Sequence, residues 1–357
     1  MQALYRKYRP TIFEEVEGQE HIVRTLQGAL LSGRIGHAYL FCGPRGTGKT
    51  TMARLLAKAL NCTQRDEKKN AEPCHACSSC LEIHGNRSLD LIEIDAASNR
   101  GIDEIRNLKD SAIVAATSSK YKVFIIDEVH MLTPPAFNAL LKILEEPPAH
   151  VIFILATTEP HKVLETILSR VQRFDFKKIT DQKIVEKLKR IAKSEKVMVE
   201  ELALVSLASA SSGSLRDAES AFSKLIAYTG DKITAEDAAE VLGIVPLQVH
   251  DDFLKLVQHK KTKEAIAKVS DLYESGVDLD NFLKQFVKYL RVSLMNAISQ
   301  PQSLPEGQAT VAVSGFDLNE AEFLIKAINL FVKAGNELKF SPVPQLPIEL
   351  AILELTK

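Results

Sequence analysis

Along the first half of the chain, short continuous apolar runs alternate with longer stretches whose apolar residues recur at helical spacing. Ala38–Cys42, Leu91–Asp95, Val123–Asp127 and Val151–Ala156 are almost unbroken in Leu, Ile, Val and Phe. Such runs predict strands buried on both faces, as in a parallel sheet covered by helices. Helices are expected between them at Lys49–Asn61, Ile102–Ala116 and Ala136–Glu145, the last after Pro134-Pro135, where proline suits the first helical turn. This alternation predicts an α/β layer. From about Thr180 the strand pattern stops. Asp181–Lys193 has apolar residues at helical spacing, Glu200–Ser211 reads as a further apolar helix, and Ser214/Asp217 and Thr234/Asp237 carry the spacing of helix caps. Gly243 reads as a helix stop before Pro246, and the pattern then stays helical to Lys357, broken mainly by the polar Ser299–Gln308 loop.

Composition narrows the class without naming it. The 357 residues are 45% hydrophobic and 25% charged, ordinary for a globular protein of two or three domains at roughly 150 residues each. No apolar run approaches the roughly 20 residues needed to span a bilayer. Met1–Pro10 is basic but has no apolar segment, so no signal peptide is expected, and the chain is placed inside the cell. With 45 basic and 46 acidic residues, overall charge does not advertise a nucleic-acid binder.

Chemistry enters at Gly43-Pro44-Arg45-Gly46-Thr47-Gly48-Lys49-Thr50, which satisfies G-x-x-x-x-G-K-S/T after an expected strand and at the start of an expected helix. The backbone amides of such a loop curl around phosphate oxygens, Lys49 reaches the terminal phosphates, and the Thr50 hydroxyl ligates Mg²⁺. Thr51 follows as a further nucleotide contact. The strand Val123–Ile126 ends in Asp127-Glu128, the placement of a metal-holding acid and of a base that orients the attacking water. The pair of motifs predicts NTP hydrolysis. Separately, four of the five cysteines, Cys62, Cys74, Cys77 and Cys80, crowd into one segment with two overlapping C-x-x-C steps. That spacing predicts a closed structural zinc site, with an iron–sulfur cluster or free thiols as the alternative. His75 and His84 are substitute ligands for Cys62, and Cys42 reads as a core residue.

Asp127–Leu132 (DEVHML), Ala136–Pro148 (AFNALLKILEEPP), Ala156–Pro160 (ATTEP) and Ser169-Arg170, together with Tyr5–Pro10 (YRKYRP), Gly18-Gln19-Glu20 and Arg34–Phe41, strongly resemble the clamp-loader AAA+ ATPases of bacterial DNA polymerase III. The resemblance implies an AAA+ P-loop core over 1–179 with a zinc-binding insert at 62–80, a helical lid over 180–243 and a helical oligomerisation collar over 244–357. It implies that Thr158 (or adjacent Thr157) is the first sensor of the γ-phosphate. Arg170 would be a finger reaching a neighbouring subunit, although Val171 stands where the family has cysteine. Arg216 would be the second sensor; a cation in the first turn of a helix opposes the macrodipole, which bound phosphate would compensate. A pairing with Asp217 or a solvated side chain is the alternative. Tyr8, Arg9, Pro10 and Val16 would cover the adenine. The implied cofactors are ATP, Mg²⁺ and Zn²⁺. The implied partners are delta and delta-prime subunits, further copies of the chain, the sliding clamp and primer-template DNA, with no membrane. Ser98-Asn99-Arg100-Gly101, Arg106 and Lys109 are candidate phosphate contacts, the last two read first as a solvated helix face. The implied activity is ATP hydrolysis within a DNA polymerase holoenzyme in the cytoplasm. The chain would end before the polymerase- and helicase-binding tail of the longer family form. A branch-migration helicase motor is the alternative.

Overall fold

The computed structural model describes residues 3–66, 69–230, 232–298 and 318–357; the expected Ser299–Gln308 loop lies outside them. The chain divides into two compact units, Met1–Ala235 and Glu236–Lys357.

The first unit is built on five parallel strands: β1 (Ala38–Cys42), β2 (Leu91–Asp95), β3 (Lys122–Asp127), β4 (Val151–Thr157) and β5 (Gln172–Asp175), in the order β2-β3-β4-β1-β5. Strands β1, β3 and β4 are buried nearly throughout, and their alternate residues feed two cores. Leu40, Phe124 and Phe153 face the helices Ile102–Ile113 and Pro134–Glu145, whereas Phe41, Ile125 and Ile154 face Glu20–Ser32 and Lys49–Asn61. A sheet covered on both sides needs apolar residues at every position, which is why these strands were visible as unbroken runs.

The two edges depart from the expectation. β2 is only half buried, with Glu93 and Asp95 exposed, because β3 covers it on one side only. β5 was not foreseen: Gln-Arg-Phe-Asp has no apolar run, and its one apolar residue, Phe174, meets Phe41 edge-on at 5.8 Å. The strands also do not stop at Thr180, since Met198–Val199 and Lys232–Ile233 form a short parallel pair. Otherwise this region is helical: Asp181–Glu195, Glu201–Ala210 and Leu215–Thr229. The last is capped as its sequence predicted, the Ser214 hydroxyl accepting from the Asp217 amide at 3.2 Å.

Among the described residues the second unit is all helical, with Leu247–Gln258, Thr262–Glu274, Leu279–Ile298, Leu318–Leu338 and Leu346–Thr356. Gly243 ends the helix before it in a left-handed conformation (φ 58°). Phe253, Phe282, Phe286 and Phe331 interlock at the centre, Phe253 meeting Phe286 edge-on at 4.9 Å. Among the described residues no helix is long and apolar enough to cross a membrane.

Candidate functional site

The strand order decides where the chemistry lies. β4 runs between β1 and β3, so the carboxyl ends of three adjacent strands carry, side by side, the phosphate loop, Thr157-Thr158 and Asp127-Glu128. A crevice beyond the strand ends is the usual ligand position in parallel sheets.

Glycine is required in the loop for steric reasons. A Cβ on Gly43 (φ 147°) would lie 2.5 Å from the Phe176 carbonyl oxygen, and one on Gly46 (φ 74°) 1.9 Å from the Ser214 hydroxyl. The second contact belongs to the lid. The amide of Leu215 donates to the Gly46 carbonyl at 3.2 Å, so the start of Leu215–Thr229 sits directly on the phosphate loop. Gln19, fully buried, ties the loop to the segment after β5: its amide donates to Thr47 O at 3.5 Å and to Lys177 O at 2.8 Å and accepts from Lys177 N at 3.1 Å.

Lys49 is buried, its ammonium donating to the carbonyls of Gly43 (2.8 Å) and Pro44 (2.9 Å). Burial pushes its pKa down, against the pull of Glu128 and Asp127. The Thr50 hydroxyl donates to Asp127 at 2.7 Å. This hydroxyl–carboxylate pair beside the loop is a hard-oxygen donor set that fits Mg²⁺. Glu128 takes a left-handed conformation (φ 48°) and accepts from both the hydroxyl (2.9 Å) and the amide (3.2 Å) of Thr158. Thr157 instead bonds His130 Nδ1 at 2.9 Å, and His130 Nε2 lies 3.1 Å from Glu159. His130 Nδ1 also lies 3.4 Å from the Glu128 carboxylate, a support that its spacing did not announce.

One cleft joins the phosphate loop and the acidic pair to the lid. It is lined by Arg45, Gly46, Thr47, Gly48, Lys49, Thr50, Thr51, Asp127 and Glu128, and by Arg9, Pro10, Val16 and Arg216. Tyr5, Lys187 and Glu219 also line it, and the sequence offered no sign of them. Arg216 is exposed and makes no ion pair with Asp217; its guanidinium lies over the Tyr5 ring, 5.0 Å from the centroid. Tyr8 does not line the cleft. Its hydroxyl donates to Glu195 at 2.6 Å, and Tyr5 supplies the aromatic ring there. Glu219 is 6% exposed and has no hydrogen bond among the described residues; burial pushes its carboxyl up to about 7, with Lys187 and Arg9 opposing. Burial, and then Arg54, push Arg9 down.

Arg170 lies away from this cleft, its guanidinium held by Glu145 (2.8 Å) and the Thr166 carbonyl (2.7 Å). Arg106 pairs with Asp103 on its own helix at 3.0 Å, Lys109 is exposed, and the loop Ser98–Gly101 is anchored through Asp95.

The four cysteine sulfurs lie within 4.8 Å of one another, and neither His75 nor His84 belongs to the group. The amides of Cys74 and Cys77 donate to Cys62 Sγ and Cys74 Sγ at 3.3 Å each. Such bonds stabilise thiolates, and four soft donors at this spacing fit a tetrahedral zinc ion. Cys42 is a core residue at the end of β1, its thiol pushed up to about 11 by burial.

Comparison with known proteins agrees with this geometry. Residues 18–180 match the family described as DNA polymerase III, delta subunit; 183–231 match the ATPase lid domain of DNA polymerase III clamp loader subunits; and 233–357 match domain III of DNA polymerase III subunits gamma and tau. The Buchnera aphidicola DNA polymerase III subunit gamma is 34% identical over 99% of this chain and 98% of its own length. The chain belongs to the DNA polymerase III gamma/tau family. The tau subunit of Bacillus subtilis is 43% identical over 99% of this chain and 63% of its own, and that of Escherichia coli 41% over 87% and 48%. The chain therefore spans about half to two thirds of the length of these longer relatives. A solved structure of the Thermotoga maritima RuvB Holliday junction branch migration motor aligns at 17% identity and TM-score 0.49, over 76% of this chain and 87% of that one.

Proposed function

We propose that this chain is an ATP-hydrolysing subunit of a clamp loader, which uses ATP to load a ring-shaped sliding clamp onto primer-template DNA during replication. The observation that carries the reading is the meeting of Lys49, Thr50, Asp127, Glu128 and Thr158 at the ends of three neighbouring strands, with Arg216 brought to the same cleft by the lid. Family matches over most of the chain, all naming DNA polymerase III, favour this reading over a branch-migration motor.

In the proposed mechanism, the amides of Gly46–Thr50 and the Lys49 ammonium hold the β- and γ-phosphates. Thr50 and Asp127 would hold Mg²⁺, which supplies charge neutralisation on the phosphate oxygens. Glu128, oriented by Thr158 and backed by His130, accepts the proton of the attacking water. Arg216 senses the γ-phosphate from the lid, and Arg9, Pro10 and Val16 enclose the base. Arg170 leaves Glu145 to complete the site of an adjacent subunit; a finger of this kind is worth roughly 10³–10⁵ in rate. Residues 180–243 act as the lid and 244–357 as the collar that binds delta and delta-prime subunits and further copies of the chain. Zinc in the four-cysteine cluster is structural. DNA is held through phosphates by residues near Arg100, in the cytoplasm at the replication fork. The proposal assigns ATP hydrolysis to this chain and no nucleotidyl transfer.

The test is ATPase activity of the wild type, Lys49→Ala and Arg170→Ala proteins, alone and with delta-type partners, clamp and primed DNA. Stimulation of the wild-type assembly by clamp and primed DNA is expected. Lys49→Ala should lose activity in every mixture, and Arg170→Ala only the stimulated part. An assembly indifferent to clamp and primed DNA refutes the clamp-loader reading.

A further inference from the structure

Beside the nucleotide cleft lies a second cavity, of about 450 Å³, enclosed by the N-terminal segment, the helix Lys49–Asn61 and the short helix Ser78–His84. Its chemistry is one-sided. Arg6, Lys7, Arg9, Arg54 and Lys58 line it together with His84, and none of its twelve lining residues is acidic.

Some of these charges are answered elsewhere. Lys7 reaches Glu195 at 2.7 Å, and Arg54 uses its two terminal nitrogens on Asn86 (2.7 Å) and Glu93 (2.6 Å). The rest are not. Lys58 is 4% exposed and makes no hydrogen bond or ion pair among the described residues; Arg9 is half buried and likewise unpaired; the Arg54 Nε is buried with no partner. Burial pushes Lys58 down; Cys80 and the more weakly acting Glu15 oppose this, neither of them bonded to it, and Arg54 adds to the downward push. Cations that converge on one cavity without partners repel one another, and each gives up part of its hydration there. An anion seated among them removes both penalties.

We propose that this cavity is a binding site for a small, multiply phosphorylated anion, held by Arg9, Arg54 and Lys58. The size is that of a small-molecule pocket, in the range of about 300–1,000 Å³, and its concavity between three elements suits a compact ligand better than the backbone of a nucleic acid. The unpaired Arg9 fork and Lys58 ammonium, with the one unpartnered nitrogen of Arg54, offer donors to more than one phosphate group. The site is separate from the phosphate loop and coupled to it: Arg9, Pro10 and Thr51 line both cavities. An anion here neutralises Arg9, whose charge faces the nucleotide cleft on its other side.

The experiment is calorimetric titration of the zinc-replete chain with inorganic tripolyphosphate, without magnesium. The wild type should bind two equivalents, one at the phosphate loop and one in the basic cavity. Lys49→Ala should keep only the second. Adding Lys58→Gln or Arg54→Gln to that background should weaken it about 10-fold or more, the loss of one charged hydrogen bond. Lys58→Gln removes a cation that makes no hydrogen bond or ion pair among the described residues, so it should leave the melting temperature unchanged, which separates lost binding from lost folding. A single equivalent in the wild type, none in Lys49→Ala, or full binding in both glutamine variants overturns the proposal. So does a single-stranded oligonucleotide that displaces tripolyphosphate from the Lys49→Ala protein at equal phosphate concentration, since the site would then belong to nucleic acid.

Discussion

Replacing Glu219 by glutamine removes a carboxyl that the lid buries in the nucleotide cleft at 6% exposure, without a hydrogen bond among the described residues. Its pKa rises from an ordinary 4.5 to about 7, through burial, moderated by Lys187 and Arg9. At 1.36 kcal/mol per unit, ionising it in the folded state costs about 3 kcal/mol more than in the unfolded chain. The folded protein holds this proton more tightly, so between about pH 4.5 and 7 it binds more protons than the unfolded chain, and stability falls as pH rises through that window. Glu219→Gln cannot ionise. Its stability relative to wild type should therefore climb by about 2–3 kcal/mol between pH 5 and pH 8, while other titrating groups cancel in the comparison. Urea unfolding of both proteins at the two pH values, followed by circular dichroism, measures it. A relative change under about 0.5 kcal/mol, or one of opposite sign, refutes the argument that this carboxyl is desolvated.

Gly46→Ala should weaken ATP binding at least about 10-fold, because its Cβ would meet the Ser214 hydroxyl at 1.9 Å and lift the lid from the loop; equilibrium nucleotide binding decides it. Thr158→Val removes the hydroxyl that holds Glu128 at 2.9 Å and should lower kcat about 10-fold with KM unchanged, measured by steady-state hydrolysis in the assembled complex. Elemental analysis should find about one zinc per chain, and Cys77→Ser should lose it. In the metal-free protein, burial works against the Cys77 thiolate, but hydrogen bonds from the Cys80 amide and from Thr63 outweigh it, and the thiol falls to about 6. Thiolate ultraviolet absorbance in the metal-free protein should therefore appear near neutral pH and be lost in Cys77→Ser, while Cys42, held near 11, stays protonated; absorbance unchanged in Cys77→Ser would count against this ordering.

What could be read in advance follows from how local each signal is. β1, β3 and β4 were visible because burial on both faces demands apolar residues throughout, and Gly43–Thr50 because steric contact dictates its glycines and chemistry its lysine and threonine. β5 was not, since an edge strand with one neighbour needs no apolar run. Tyr8 was expected over the base, but the chain turns so that Tyr5, three residues earlier, enters the cleft. No spacing rule distinguishes the two.

By itself, then, the sequence determined the α/β core, the helical remainder, the phosphate loop, the acidic pair and the cysteine cluster, each a pattern confined to a few neighbouring residues. The tertiary structure alone decided which of these meet. Inserting β4 between β1 and β3 brings Thr158 onto Glu128 across 30 positions of sequence and leaves Thr157 to His130. Docking the lid on Gly46 carries Arg216 and Glu219 into the cleft, and folding the N-terminal segment against the helix Lys49–Asn61 creates a basic cavity from charges that look solvated when read in line. The physical reason is that burial and electrostatic environment belong to pairs of distant segments, and a one-dimensional pattern records only what each segment requires of itself.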